Sequence, residues 1–344
     1  LDLMYVYART SNTMKAAYIT ECGPASNIQF GDIVAPVASG TEVLVRVGAV
    51  SLNPVDTYIR NGANYWELPQ PFVVGCDLAG TVEAIGDDVT RFKIGDRVWG
   101  TNQGLLGKQG TFAEFCAVEQ NELYATPSNV SDNDAAACSL VGITAHLGLF
   151  RDAQLQAGET IFVHGGTGGV GAMVLQMAKG CGATVIATAG NEEKAARCRE
   201  LGADVVINYN TEDELEAILA AAPDGVDVFW ETLREPNMEG IISVMKEYGR
   251  IVIMAGRDAR PEFPVGPFYV KCLKLMGFVM FKANDKALRA CADDINQWLS
   301  DGSLKANISQ VLPMSEAAAA HQIQEDSTLN QSGATAGKIV LIPS

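Results

Sequence analysis

The sequence predicts an α/β protein in two parts, a barrel-like or sandwich-like β unit and a doubly wound parallel sheet inserted into it. Three observations lead there. First, residues 159–201 read as strand, glycine turn, helix, strand. The apolar run Thr160-Ile161-Phe162-Val163 is followed by His164-Gly165-Gly166-Thr167-Gly168-Gly169-Val170-Gly171. Helical spacing continues through Gln176, Met177 and Ala178, and a β-branched run at 183–187 follows a break at 179–182. Second, residues 14–118 carry short strand-like runs separated by turns instead of long helices. Third, residues 283–344 complete no βαβ repeat and are expected back on the first part.

Residues 1–13 read as a loosely held extension, because the strand pattern opens at Met14-Lys15-Ala16-Ala17-Tyr18. Strands are expected at 16–19, 42–51, 78–85, 97–100 and 111–118. Gly23-Pro24, Ala38-Ser39-Gly40, Gly86-Asp87-Asp88 and Ile94-Gly95-Asp96 supply the turns between them. The glycine-rich, aperiodic stretch 101–110 is either a mobile loop at a cleft or a plain surface connection.

Near Ser131 the pattern turns helical, with Ser131-Asp132-x-Asp134 as a cap and alanines behind it. A second helix is expected from Val141 through Leu147. The βαβ series then runs through strands at 205–208, 226–230, 250–255 and 275–280, with helices at 213–221 and 238–244. Six strands with intervening helices fit a doubly wound sheet. An amphipathic helix at 288–299, a strand at 308–312, a helix at 315–324 and a closing strand at 338–342 complete the chain. The expected division is 14–138 with 283–344 for the first part and 139–282 for the inserted one.

Gly166-x-Gly168-x-x-Gly171 matches the dinucleotide fingerprint in the place where it has meaning, between a strand and a helix. In that reading Gly166 permits the tight turn, Gly168 lets the backbone approach a pyrophosphate, and Gly171 lets the helix pack on its strand. Free amides at the helix start, backed by the helix dipole, hold the phosphates. NAD sites carry an acid about 20 residues past the glycines, bonded to the ribose 2′-hydroxyl. Here that place holds Thr188-Ala189-Gly190-Asn191, and the first acid is Glu192. Lys194 follows, either as an ammonium for a 2′-phosphate or as a solvated surface lysine. The pattern favours NADP(H).

Composition narrows the function. A chain of 344 residues, 48% hydrophobic and 19% charged, suits two soluble globular domains. Its 25 Lys and Arg against 41 Asp and Glu give a formal charge of −16. That argues against nucleic-acid partners and anionic membranes, while NADP(H) needs only a local positive site. The eight cysteines form no CxxC pair, as expected of reduced thiols in the cytoplasm. No apolar run approaches the ~20 residues that span a bilayer, and residues 1–13 show no basic leader or long apolar core, so no signal peptide is expected.

Gly95-Asp96-Arg97-Val98, Thr111-Phe112-Ala113-Glu114-Phe115, the run from His164 to Gly171 and Leu201-Gly202-Ala203-Asp204 resemble the medium-chain dehydrogenase/reductase superfamily. Asn53-Pro54-Val55-Asp56-Thr57-Tyr58-Ile59-Arg60-Asn61-Gly62 is similar to its zinc-independent, ζ-crystallin-like quinone oxidoreductase branch. The likeness implies a GroES-like β-barrel domain, an inserted Rossmann domain and an active cleft between them. It also implies a homodimer or homotetramer, often joined edge to edge through the last Rossmann strand, here near 275–280. Phosphate contacts are implied on Gly190, Lys194 and Tyr209, with the nicotinamide covered by Thr144 and the Val170 backbone. Some relatives place an Arg near the final strand, where this chain has Gly333-Ala334-Thr335, which weakens the NADP preference. Arg257, expected at the carboxyl edge of the sheet, meets phosphate or substrate or lies on the surface. Metal-dependent relatives hold zinc with a Cys at the place of Asn53, a His-Glu pair at Cys76-Asp77 and another Cys near Val141–Gly142. They also carry a four-Cys lobe between the equivalents of Trp99 and Thr111, where this chain has no Cys. One Cys and one Asp do not make a tetrahedral zinc set, so no metal is expected.

Hydride transfer to a quinone or enone pushes negative charge onto the carbonyl oxygen, and a neutral donor there stabilises it. Asn53 and Tyr58, five residues apart across a Pro-containing loop, are the expected catalytic pair. The opposing reading has Asn53 capping a turn and Tyr58 packing under the cofactor. The expected activity is NADPH-dependent quinone reduction. Reduction of an alkenal or enoyl C=C bond is the rival within the fold, and a non-catalytic NADPH-binding or RNA-contacting protein is the rival outside it.

Overall fold

The computed structural model describes residues 13–63, 66–328 and 335–343. The expected extension therefore lies outside the described residues except for Thr13, and Gly333 and Ala334 lie outside them too. Strand β1 (Thr13–Ile19) alternates exposed and buried positions before two consecutive buried alanines seat it against the core. It pairs antiparallel with β2 (Gln29–Val34) and the two-residue β4 (Phe72–Val73). The larger sheet of this part is built on β3 (Glu42–Ser51), which pairs antiparallel with β5 (Asp77–Ile85) and β7 (Phe115–Glu119). β6 (Arg97–Gly100) and β8 (Leu123–Ala125) extend it beyond β5.

The segment after β3 is not a loop. α1 spans Pro54–Arg60, with Asn53 at its N-cap and Pro54 in its first turn. The Asp56 carboxylate accepts the Asn53 amide at 2.7 Å, the return arm of a capping box. α2 (Asp132–His146) is one helix where two are expected, capped by the Ser131 hydroxyl, and it runs unbroken through residue 138. Its residues are buried almost all round, so Gly142 and the β-branched positions beside it stay helical through packing, not propensity.

The parallel sheet follows the order β11-β10-β9-β12-β13-β14. In the chain these are β9 (Thr160–Val163), α3 (Gly169–Gly180), β10 (Thr184–Ala189), α4 (Glu192–Glu200) and β11 (Val205–Asn208). Next come α5 (Glu214–Ala221), β12 (Val226–Glu231), α6 (Met238–Ser243), β13 (Met245–Ile253), α7 (Val265–Val270) and β14 (Lys274–Gly277). Every neighbouring pair is parallel. The order reverses beside β9, and ligands of such sheets gather at the carboxyl ends there.

After α8 (Asp285–Asp301) the chain returns to the first sheet through β15 (Ile308–Pro313), α9 (Ala317–Thr328) and β16 (Lys338–Ile342). β16 lies parallel to β15 and antiparallel to β3, with Val340 opposite Ser51. The architecture is thus a GroES-like β domain with a Rossmann sheet inserted into it. One apolar core fills the β domain around Val45, Leu78, Phe112 and Leu123. Two more cover the faces of the parallel sheet, one under α2, α3 and α8 and one around Phe162, Phe229 and Ile251.

Candidate active site

The glycine turn after β9 divides its work differently from the expectation. The left-handed residue is Gly165, at φ +70°, one place before the fingerprint. Gly166 is a packing glycine, since a Cβ there would stand 2.8 Å from the Cys198 sulfur and 3.1 Å from Ala187. Gly171 is a close-approach glycine, because its Cβ would lie 2.1 Å from the Gly165 carbonyl oxygen. Gly168 is the N-cap of α3 and has no side chain to cap with. The first intrahelical bond in this turn runs from the Ala172 amide to the Gly168 carbonyl at 2.9 Å. The amides of Gly169, Val170 and Gly171 are therefore left for an acceptor from outside the helix. A Cβ on Gly168 would stand 3.2 Å from the Gly165 carbonyl oxygen, a tight contact but a looser one than at Gly171. Thr167 is nearly buried, and the Asn307 amide nitrogen donates to its carbonyl at 2.9 Å. On α2, Val141 touches the Gly169 position, and Thr144 lies one turn further along the same face.

At the tip of β10 the structure brings Gly190 and Tyr209 together: a Cβ on Gly190 would stand 2.3 Å from the phenol oxygen. Lys194 sits in the first turn of α4, its amide bonded to the Asn191 side chain at 2.9 Å. The acid nearest this tip, Glu192, pairs with Arg199 at 2.7 Å on an exposed face. Asn210 donates to the Gly190 carbonyl at 2.7 Å and fixes the turn. An uncapped helix start after β9 and an acid-free tip after β10 fit a dinucleotide bearing an extra phosphate.

Tyr58 stands half-buried on α1. Burial raises its pKa, while the Arg234 and Arg257 charges pull the other way. Those arginines follow β12 and β13, the two strands beyond β9. Arg257 donates to the Ala63 carbonyl at 3.0 Å, joining the β13 loop to the end of α1. Tyr58, Arg234 and Arg257 thus meet at the carboxyl edge of the sheet.

Asn53 behaves differently. It is fully buried, its amide nitrogen donates to Asp77 at 2.7 Å, and its carbonyl oxygen accepts from the Lys338 ammonium. Lys338 also donates to the Leu52 carbonyl at 2.7 Å and lies 3.6 Å from the Asp77 carboxylate. Burial pushes the Lys338 pKa down and the Asp77 pKa up, each opposed by the other's charge. Burial likewise lifts Asp56 to about 7 and drives the Cys76 thiol well above its ordinary range. This donor set does not fit zinc. An ammonium already stands at the Asn53 oxygen, and Cys76 is held as the thiol where a thiolate is required.

Several residues here escaped the sequence reading. Lys338, a lone cation opening an apolar strand, was the most legible signal among them. His164, two places before the fingerprint, bridges two carboxylates: Nδ1 lies 3.0 Å from Glu231 and Nε2 lies 2.9 Å from Glu214. Asn307 and Arg234 carried no local pattern.

The chain resembles known proteins over nearly its whole length. Residues 39–128 match the model of the alcohol dehydrogenase GroES-like domain, and residues 169–295 match that of the zinc-binding dehydrogenases. A quinone oxidoreductase of Lama guanicoe is 30% identical over 96% of this chain and 97% of its own. A chloroplastic NADPH-dependent alkenal/one oxidoreductase of Arabidopsis thaliana is 35% identical over 73% of this chain and 64% of its own. Among solved structures, an NAD-dependent alcohol dehydrogenase superposes with a TM-score of 0.87 at 29% identity, covering 96% of this chain and all of its own. A mycobacterial protein solved with NADPH superposes at 0.83 and 27% identity with the same coverage. The chain is an oxidoreductase of the medium-chain dehydrogenase/reductase superfamily and belongs to its zinc-independent quinone oxidoreductase branch.

Proposed function

We propose that the protein reduces quinones with NADPH, by hydride transfer and without a metal ion. The observation that carries this is the pairing of two features on one sheet: the uncapped start of α3 beside a β10 tip whose residues 188–191 include no acid, and the Tyr58 phenol close to Arg234 and Arg257, which follow the neighbouring strands β12 and β13. Gly166, Thr167, Gly168, Gly169, Val170 and Gly171 would hold the pyrophosphate. Gly190, Lys194 and Tyr209 would hold the 2′-phosphate end, and Thr144 with the Val170 backbone would cover the nicotinamide. When bound, the dinucleotide supplies a hydride with its electron pair.

The chain's own residues position the acceptor. Tyr58, kept neutral by the burial that raises its pKa, donates a hydrogen bond to the carbonyl oxygen as negative charge gathers there. Solvent delivers the remaining proton. Asn53 sets the start of α1 and so the reach of Tyr58, with Asp77 and Lys338 holding it in turn. Arg257 ties the β13 loop to α1 and closes the acceptor side.

The names of the quinone oxidoreductase relatives support the quinone reading, and that of the Arabidopsis relative supports the C=C alternative. A charge of −16 weighs against an RNA-contacting role. We also propose the division 14–138 with 283–344 around 139–282, with α2 shared between the parts. Edge strand β14 carries exposed Leu275, with exposed Val270 and Val279 beside it, which supports a homodimer or homotetramer joined there. Among the described residues no helix is long and apolar enough to cross a membrane, and the eight cysteines are free, which supports a cytoplasmic site. Steady-state assay with NADPH against naphthoquinones and enals tests the reading: quinone turnover is expected, and strong enal turnover with none of quinones would overturn it.

A further inference from the structure

We infer that the acceptor side of this crevice is a site for an anionic substrate, a conjugated carbonyl that also carries a carboxylate, with Arg234 as the residue that reads the charge. The inference rests on the reductase reading above and narrows it to a substrate class.

The two arginines come from touching loops. Gly256 takes φ +62°, and a Cβ there would stand 2.2 Å from the Arg234 carbonyl oxygen, so the β13 loop lies directly on the β12 loop. Both residues therefore lie in touching loops at the carboxyl ends of adjacent strands, where ligands of this sheet type bind. Both act on the Tyr58 phenol, the group assigned to the reacting carbonyl.

Arg234 has no ion-pair partner among the described residues, and Arg257 has only a loose, exposed one. The Arg234 Nη1 is closed off from solvent and has no hydrogen-bond partner among the described residues. Arg257 gives one nitrogen to Ala63 and stands 3.8 Å from Asp258, beyond hydrogen-bond distance, with both side chains largely exposed. Glu231, the buried acid of the same stretch, is taken up by His164 and the Leu233 amide. A buried guanidinium edge without an acceptor matches a carboxylate, whose two oxygens fit the planar fork.

The cofactor's own phosphates do not account for the pair. Gly190, Lys194 and Tyr209 follow β10 and β11, on the far side of β9 from β12 and β13. A plain quinone or alkenal offers nothing to two cations beyond its carbonyl oxygen. A carboxylated enone offers both: the carbonyl to Tyr58 and the carboxylate to Arg234.

The test compares 4-oxopent-2-enoate with its methyl ester in the full-length protein with NADPH. The acid is expected to win in kcat/KM. Arg234→Gln should collapse the acid-over-ester ratio roughly ten- to hundredfold, mainly through KM, the range lost with a hydrogen bond to a charged group. Arg234→Lys should recover part of the ratio. NADPH uptake, read by its fluorescence, should move less than threefold. Independently of turnover, saturated 4-oxopentanoate should bind the NADP-loaded protein in calorimetry and lose tenfold or more in Arg234→Gln. Naphthoquinone turnover with no preference for the acid overturns the anion site and leaves the reductase reading standing. Unaltered 4-oxopentanoate binding in Arg234→Gln overturns it whatever the turnover shows.

Discussion

Lys338 shows how much of the crevice depends on one side chain. It passes beneath Gly169, within 3.1 Å of where a Cβ would be, and ends among Leu52, Asn53 and Asp77. It therefore joins the glycine turn of one domain to the start of α1 in the other. Removing one partner of a buried ion pair strands the other charge, which costs about 3–5 kcal/mol. Lys338→Met should lower stability by about that much in urea, and Asp77→Asn in the same chain should restore a large share. Purely additive losses in that double-mutant cycle would mean that the two groups do not act as a pair. Tyr58→Phe removes the proposed donor alone. Its turnover should fall roughly a hundredfold, as when one oxyanion donor is lost, with NADPH affinity nearly kept. Unchanged turnover would take Tyr58 out of the mechanism. Lys194→Ala addresses the other end of the cofactor. It should weaken NADPH far more than NADH in a fluorescence titration, and equal losses would show that this lysine does not read the 2′-phosphate.

Among the elements, α3 and its turn make the strongest separate prediction. Gly171→Ala would drive a methyl against the Gly165 carbonyl, a backbone atom that has no room to yield. Both stability and NADPH uptake should drop. Gly168→Ala puts its methyl 3.2 Å from the same carbonyl, a tight fit but a far milder one, so its melting temperature should fall much less than that of Gly171→Ala while NADPH affinity falls. If both variants lose stability alike, the division of labour among these glycines is wrong. This turn was legible because strand, glycines and helix each left a pattern in consecutive residues. β3, β6, β11 and β16 were legible for the same reason, as apolar runs between turn signals. The failures have physical causes. α1 read as a loop because Asn53-Pro54 favours turns, yet the same pair suits an N-cap and first turn, and Asp56 stands at the capping-box spacing. α2 read as two helices because Gly142 interrupts the pattern, but Ile295 of α8 fills the space above that glycine, so burial overrides propensity. β2 and β4 are half-exposed or only two residues long, too little for a period to show. Tyr58 and Arg257 were legible one by one, but Arg234 was not, since the three lie far apart in sequence and come together only through the fold.

The stability of the whole molecule should carry the signature of His164, which ties the ends of β9 and β12 to the start of α5. Burial works against its charge, but the hydrogen bonds and charges of Glu214 and Glu231 outweigh it and raise the pKa to about 9. The folded state therefore holds a proton that the unfolded chain releases near pH 6.5. The stabilisation is complete below that pH and is lost as the pH rises through about 9. At ~1.4 kcal/mol per pKa unit the loss is on the order of 3 kcal/mol. His321 has the opposite sign: burial and the Arg60 charge lower its pKa to about 3, so its contribution is lost as the pH falls from about 6.5 toward 3. Asp56, raised to about 7 chiefly by burial, makes the folded state less stable as the pH climbs from its ordinary 3.8 to 7. Lys338, shifted down, and the buried thiols, shifted up, also bear on the range from pH 7 to 9, so a His164 variant is needed to isolate its share. His164→Gln keeps a hydrogen-bonding side chain but cannot hold the proton. Urea unfolding should show wild-type stability declining from pH 7 to 9 more steeply than that of the variant, which starts lower. Parallel slopes in the two proteins would place the titrating group elsewhere, and a level wild-type curve would mean that His164 is not charged between its two carboxylates.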